Sequence, residues 1–95
     1  MTQEELLDVS VAVALYNEEE CVAALCKALD KTMSKLGKTY EIILVDDGSK
    51  DKTWKKMVAE AERLPGFKLI RFRRNFGQTA ALAAGFDYAR GRIVV

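Results

Sequence analysis

Two adjacent carboxylates, Asp46 and Asp47, directly follow four large apolar residues at 42–45. Such a run is typical of a strand buried on both faces, as in a parallel sheet covered by helices. In open α/β sheets, ligands bind outside the carboxyl ends of the strands. The acidic pair and the glycine that follows it, Gly48, are therefore predicted to lie at a ligand-binding edge.

Two other polar segments are predicted to reach the same edge. Tyr16, after the first strand, offers a flat ring for stacking and a hydroxyl group. Arg73 and Arg74, after the third strand, precede a predicted helix N-terminus and would suit a diphosphate. An aromatic ring, a carboxylate and a basic loop together describe a nucleotide pocket without a glycine-rich phosphate loop.

The two aspartates are predicted to have different roles, because successive side chains at a strand end point in opposite directions. One would turn inward and hold its loop through backbone N–H groups. The other would accept a hydrogen bond from a nucleobase, such as the imide N–H of uracil. Gly48 would let the backbone turn tightly or approach the ligand.

Each of these features alone also has an ordinary structural interpretation. Asp-Gly-Ser is a common turn, and Arg73 and Arg74 could be solvated charges at a sheet edge. Asn17 is predicted to cap the first helix, with Glu20 as its capping-box partner. Only their shared placement at strand ends favours the binding interpretation.

The elements that position these residues alternate strictly between strand and helix. Strands are predicted at residues 9–15, 40–45, 67–72 and 92–95. Helices are predicted between the cap Asn17 and Gly37, between the cap Asp51 and Pro65, and at 78–89. This pattern predicts an α/β fold: a three-layer parallel sheet of order 3-2-1-4 with helices on both faces. Lys68 and Arg71 interrupt the third strand, which suits an edge.

Length and composition indicate one globular domain, residues 1–95, with a flexible leader at 1–8. The net charge of +1 gives no strong field for nucleic acid or an anionic membrane, so no nucleic-acid partner is predicted. No signal peptide or membrane-length apolar run is present, which predicts a cytoplasmic location. Cys21 and Cys26 are predicted to be small buried hydrophobic residues in a reducing compartment.

Three ordered motifs resemble the inverting family 2 glycosyltransferases of the GT-A fold. Residues 11–20 are similar to that family's opening strand, and residues 40–53 match its second strand and acidic turn. Residues 73–82, Arg-Arg-Asn-Phe-Gly-Gln-Thr-Ala-Ala-Leu, resemble the subgroup that transfers a sugar to a polyprenyl phosphate, as dolichyl-phosphate mannose synthases do. The resemblance covers almost the whole chain and corresponds to the N-terminal, nucleotide-binding half of the GT-A fold.

The resemblance implies a role for each matching residue. Tyr16 would pack on the base and Asp47 would accept its N–H donor, while Glu18 and Asp46 would lie near the nucleoside or support the loop. The diphosphate and sugar would lie towards the third motif, residues 73–82. The predicted nucleotide-binding residues are Tyr16, Asn17, Glu18, Asp46, Asp47, Gly48, Arg74, Asn75 and Gln78.

The resemblance also implies partners and a reaction for the full enzyme. The donor would be a UDP- or GDP-sugar and the acceptor a polyprenyl phosphate or other glycan acceptor, in cell-envelope polysaccharide or glycolipid synthesis. The full-length protein would associate with the cytoplasmic membrane. Mg²⁺ or Mn²⁺ would neutralise the departing nucleoside diphosphate.

Two departures from the family pattern stand out. Ala14 replaces a usual proline, and the family's metal-binding Asp-x-Asp is expected just beyond Val95. No catalytic residue and no bound metal are therefore predicted for these 95 residues, which are expected to be inactive alone. The exposed apolar edge of the fourth strand, residues 93–95, would favour a homodimer.

Other α/β classes fit the sequence less well. A phosphoacceptor receiver domain needs its acidic pair after strand one, and a dinucleotide-binding dehydrogenase needs Gly-x-Gly-x-x-Gly there. Tyr16, Asn17 and Glu18 occupy that place. The alternative that stays open is a non-catalytic nucleotide-binding or regulatory module.

Overall fold

The computed structural model describes residues 6–95 and shows four strands alternating with three helices. The elements are β1 (Leu7–Leu15), α1 (Val22–Ser34), β2 (Tyr40–Asp46), α2 (Thr53–Arg63), β3 (Phe67–Arg71), α3 (Gln78–Tyr88) and β4 (Gly91–Val94). The strands pair in parallel in the order β3-β2-β1-β4. The predicted α/β architecture, strand order and edge position of β3 are confirmed.

The core lies on both faces of β2, whose residues 42–45 are fully buried. Ile42 and Leu44 pack in the cluster that includes the buried residues of α1 and α2. Ile43 and Val45 point to the opposite face and pack with Ala81 of α3. Because side chains alternate along a strand, one apolar run supplies both interfaces and creates three layers.

The small residues of α3 bring that helix very close to the sheet. A Cβ placed on Gly85 would lie 2.9 Å from the Cβ of Ala12 in β1. Any side chain at this position would push the helix away from the strand.

The first strand begins earlier than predicted. Leu7 and Asp8 belong to β1, so they are not part of a flexible leader. The Asp8 carboxylate accepts hydrogen bonds from the N–H and hydroxyl of Thr39, which lower the pKa of Asp8. The rest of the predicted leader, apart from Leu6, lies outside the described residues.

The predicted cap of the first helix is wrong. Helix α1 follows Cys21, with no side-chain cap, and Asn17 and Glu20 lie in the preceding loop. Leu36, the last residue of the predicted first helix, lies beyond α1 and is 51% exposed. Asn17 instead adopts a left-handed backbone with φ of 50°, which asparagine tolerates better than most residues.

The two cysteines differ in environment, and only one fits the prediction. Cys26 is buried on α1, and this burial, with a smaller effect of Glu60, raises its pKa to about 11. Cys21 is exposed. The prediction that both are buried is therefore wrong for Cys21.

Candidate functional site

Tyr16 and Asp47 emerge side by side from the two central strands. Leu15 pairs with Asp46 across the sheet, and the Asp47 N–H donates to the Leu15 carbonyl at 2.8 Å. Both side chains border a pocket of about 410 Å³, a suitable size for a small-molecule ligand. Its lining residues are Ala14, Leu15, Tyr16, Glu18, Asp47, Asn75, Gly77 and Gln78.

The loop after β1 is fastened to the loop after β2. The Asn17 N–H donates to the Ser49 hydroxyl at 2.8 Å, and the Asn17 side-chain oxygen accepts from the Lys50 N–H at 2.9 Å. The Glu18 N–H donates to the Thr53 hydroxyl oxygen at 2.8 Å. These bonds between loops explain why Asn17 does not cap α1, because its side chain already has a partner.

Asp51 and Thr53 stabilise the contact between these two loops. Neither residue was predicted from the sequence to belong to the site. The buried Thr53 hydroxyl donates to Asp51 Oδ1 at 2.6 Å while it accepts from Glu18. Asp51 also accepts from the N–H groups of Thr53 and Glu19. Partial burial opposes ionisation, but the Thr53 and Glu19 bonds outweigh it and lower the pKa of Asp51.

The Asp47 carboxylate holds the segment that precedes α3. Its Oδ1 accepts from the Phe76 N–H at 2.8 Å, and its Oδ2 accepts from the Gly77 N–H at 3.0 Å and the Asn75 amide at 2.9 Å. A carboxylate offers about four acceptor positions. With these three bonds made, about one acceptor position on Oδ1 is left for a ligand.

Asp46 turns inward and holds a loop, which is the role predicted for one of the two aspartates. Its side chain is fully buried, and Oδ1 accepts from the Ser49 N–H at 3.1 Å. The Arg71 Nε lies 3.9 Å from Oδ2. Both aspartates therefore accept hydrogen bonds from backbone N–H groups. Asp47 differs from Asp46 in that it also lines the pocket.

Gly48 allows a close approach of backbone. Its φ is +73°, and a Cβ built on it would lie 2.1 Å from the carbonyl carbon of Arg74. The predicted tight turn is therefore present. The group that approaches Gly48 is the chain at residues 74–75.

Arg74 lies outside the pocket. Its guanidinium stands 4.6 Å from the centre of the Phe76 ring, and both residues line a separate depression at the end of β3. Of the nine predicted binding residues, five line the pocket and three, Asn17, Asp46 and Gly48, support its loops.

Comparison with known proteins identifies the family to which this chain belongs. Residues 10–95 match the family described as Glycosyl transferase family 2. The chain belongs to this family. An undecaprenyl-phosphate 4-deoxy-4-formamido-L-arabinose transferase of Proteus mirabilis is 41% identical over 96 residues, and an uncharacterized glycosyltransferase of Synechocystis is 40% identical over 89. These alignments cover 99% and 94% of this chain but only 29% and 28% of the relatives.

Solved structures of glycosyltransferases share the fold of this family 2 chain. The mannosyltransferase PcManGT from Pyrobaculum calidifontis, in complex with GDP-Man and Mn²⁺, gives a TM-score of 0.76 at 26% identity, covering 95% of this chain and 26% of that one. S. aureus TarS in complex with UDP-GlcNAc gives 0.76 at 26% identity, covering 93% and 25%. The architecture is that of the GT-A glycosyltransferases.

The described residues of this family 2 chain do not form a metal site. Within residues 6–95, no three His, Cys, Asp or Glu side chains come together in a group that could hold a metal ion. Asp46 and Asp47 are committed to Ser49 and to residues 75–77.

Proposed function

We propose that this chain forms the nucleotide-binding part of an inverting glycosyltransferase that transfers a sugar from a UDP- or GDP-sugar to a polyprenyl phosphate. The observation that carries the proposal is the pocket in which Tyr16 and Asp47 lie at the ends of adjacent central strands. Relatives named undecaprenyl-phosphate transferases, and similar structures with GDP-Man or UDP-GlcNAc, support this substrate class.

In this proposal, each pocket residue has a defined role. The Tyr16 ring, 42% exposed, stacks on the nucleobase, and the remaining acceptor position of Asp47 takes a base N–H. Glu18 lies beside the nucleoside. Asn75 and Gln78 lie towards the diphosphate and sugar, where the N-terminus of α3 favours an anion.

We further propose that carboxylates beyond Val95 bind Mg²⁺ or Mn²⁺ in the full enzyme. The metal would neutralise the leaving diphosphate. The 95 residues should then bind nucleotide but transfer no sugar. The measurement is transfer of radiolabelled sugar from UDP- and GDP-sugars to polyprenyl phosphate in the presence of Mn²⁺. Product formed by these residues alone would contradict the proposed inactivity.

The nucleotide site is tested by replacing Tyr16. Tyr16→Ala should weaken UDP or GDP binding about tenfold, since stacking on an aromatic ring contributes about 1–3 kcal/mol per base. Tyr16→Phe keeps the ring and should bind nearly as well as the original protein. Binding is followed by NMR titration with UDP, GDP and ADP.

A matched control is Tyr88→Ala, which removes an exposed ring at the end of α3, outside the pocket. It should leave affinity unchanged. Equal binding of ADP, UDP and GDP would contradict the base-reading role. An unchanged affinity in Tyr16→Ala would contradict the stacking role.

The outer edge of β4 is the proposed dimer contact of this chain. The strand lies at the end of the sheet, and Ile93 and Val95 are 61% and 66% exposed. Pairing of two such edges would cover these side chains. Sedimentation velocity over rising concentration should show a dimer that Ile93→Lys disrupts, and a monomer at every concentration would contradict this.

The proposed location is the cytoplasmic side of the cytoplasmic membrane, where a polyprenyl phosphate acceptor would be reached. Among residues 6–95, no helix is both long and apolar enough to cross a bilayer.

A further inference from the structure

Charge is segregated along this nearly neutral chain. Between Glu62 and Asp87 there is no acidic residue, yet this stretch carries five basic ones: Arg63, Lys68, Arg71, Arg73 and Arg74. Most of them lie on or beside the edge strand β3. Arg63 and Lys68 form ion pairs with carboxylates, and the Arg71 Nε lies 3.9 Å from the Asp46 carboxylate. The positive charge of this edge is therefore concentrated on Arg73 and Arg74.

The basic residues at the end of β3 lie among aromatic rings. Arg71, Phe72, Arg73, Arg74 and Phe76 line a shallow depression of about 680 Å³, here called the arginine–phenylalanine surface. Arg73 and Arg74 are exposed, and the Phe76 ring beneath Arg74 is 55% exposed. The Phe76 ring meets Phe72 edge-on at 5.6 Å between centres. The surface thus combines cationic groups with apolar rings.

The backbone under this surface is firmly held. Asp47 binds the N–H groups of Phe76 and Gly77, and Gly48 packs against the chain at residues 74–75. Neither Arg73 nor Arg74 lines the nucleotide pocket. The surface is therefore an ordered platform that is separate from that site.

We propose that the arginine–phenylalanine surface binds the anionic headgroups of a lipid bilayer. Guanidinium groups pair well with phosphate oxygens, and each basic residue near an anionic membrane adds to the attraction. Phenylalanine side chains of membrane-surface segments bury at the boundary between headgroups and acyl chains, and the exposed Phe76 beside the arginines would lie there. A nucleic-acid backbone would need a longer cationic track than two adjacent exposed arginines provide.

The test is co-sedimentation of the protein with vesicles of phosphatidylcholine and phosphatidylglycerol in equal parts. The protein should bind these vesicles, bind weakly to pure phosphatidylcholine, and be released by added salt. The double variant Arg73→Gln/Arg74→Gln should bind about thirtyfold more weakly. Arg73→Lys/Arg74→Lys keeps both charges and should retain most of the binding.

A charge-matched control removes two exposed lysines of α1, Lys27→Gln/Lys31→Gln, and should bind like the original protein. The variants should fold like the original protein, because the replaced side chains are exposed. Thermal melting followed by circular dichroism checks this. Equal loss in both double variants would overturn the proposal, since it would indicate unspecific attraction. Competition by inorganic phosphate at low concentration, or binding to duplex DNA without vesicle binding, would also overturn it.

The result is distinguishable from failure of the nucleotide site. The arginine double variant should bind UDP and GDP with the same affinity as the original protein. If the nucleotide proposal is wrong, both proteins should bind these nucleotides equally poorly. A loss of nucleotide affinity with unchanged vesicle binding would assign the arginines to a diphosphate and overturn the membrane role.

Discussion

Gly48→Ala should destabilise the protein by at least about 3 kcal/mol. The left-handed backbone at φ of +73° disfavours any Cβ by about 1–2 kcal/mol. The new Cβ would also lie 2.1 Å from the Arg74 carbonyl carbon and 2.4 Å from the Asn75 nitrogen, both backbone atoms. A backbone segment cannot rotate away as a side chain can, so residues 74–75 must move and disturb the bonds that Asp47 makes.

Gly37→Ala is the matched control for this experiment. Gly37 has a similar φ of +68°, but nothing lies within 4 Å of the position that its Cβ would occupy. It should therefore cost only the conformational term of about 1–2 kcal/mol. Urea denaturation of both variants isolates the contact with Arg74. Equal destabilisation would show that residues 74–75 yield easily and that the contact is weak.

The sheet could be predicted from the sequence because its determinants are local. The apolar run at 42–45 indicates a strand buried on both faces, and Lys68 and Arg71 indicate an edge. The parallel order follows from the alternation of strands with helices. The meeting of Tyr16 and Asp47 follows from that order, because carboxyl ends of parallel strands share one edge.

The loops could not be predicted in the same way, because their bonds join residues that are far apart in sequence. Asn17 has the chemistry of a cap, but Ser49 and Lys50 engage it. Arg74 stands beside Asn75 in the chain, yet only Asn75 reaches the pocket, since the Arg74 side chain lies over Phe76. Residue type alone does not decide between a local and a distant partner.

A buried carboxylate at the opposite end of the strands joins all four of them. Glu41 of β2 is 1% exposed, and its Oε2 accepts from the Ser10 hydroxyl of β1 at 2.6 Å and from the Arg90 N–H before β4. Its Oε1 lies 2.6 Å from Lys68 Nζ of β3. The Ser10 oxygen in turn accepts from the Gly91 N–H of β4 at 2.7 Å. The network therefore helps to fix the order and the register of the four strands.

Glu41→Leu should destabilise the protein by about 3 kcal/mol, because it leaves the buried Ser10 hydroxyl proton and the Arg90 N–H without their acceptor. Glu41→Gln keeps one acceptor oxygen and should cost about 1 kcal/mol. Glu62→Gln, an exposed carboxylate on α2, serves as control and should cost almost nothing. Urea denaturation near neutral pH gives the order. A Glu41→Leu protein as stable as the original would show that the network contributes only specificity.

The pH dependence of Glu41 gives a second, independent readout. Burial opposes its ionisation, but hydrogen bonds from Lys68, Ser10 and the Arg90 N–H outweigh this effect and lower its pKa. A group with a lowered folded-state pKa stabilises the protein above its unfolded pKa, about 4.3 for glutamate, and loses that contribution as the pH falls through the folded value. The advantage of the original protein over Glu41→Gln should therefore be complete near neutral pH and shrink below about pH 4. A constant difference across that range would mean that the pKa of Glu41 is the same in the folded and the unfolded protein, and that the charge of this carboxylate does not help to hold the four strands in register.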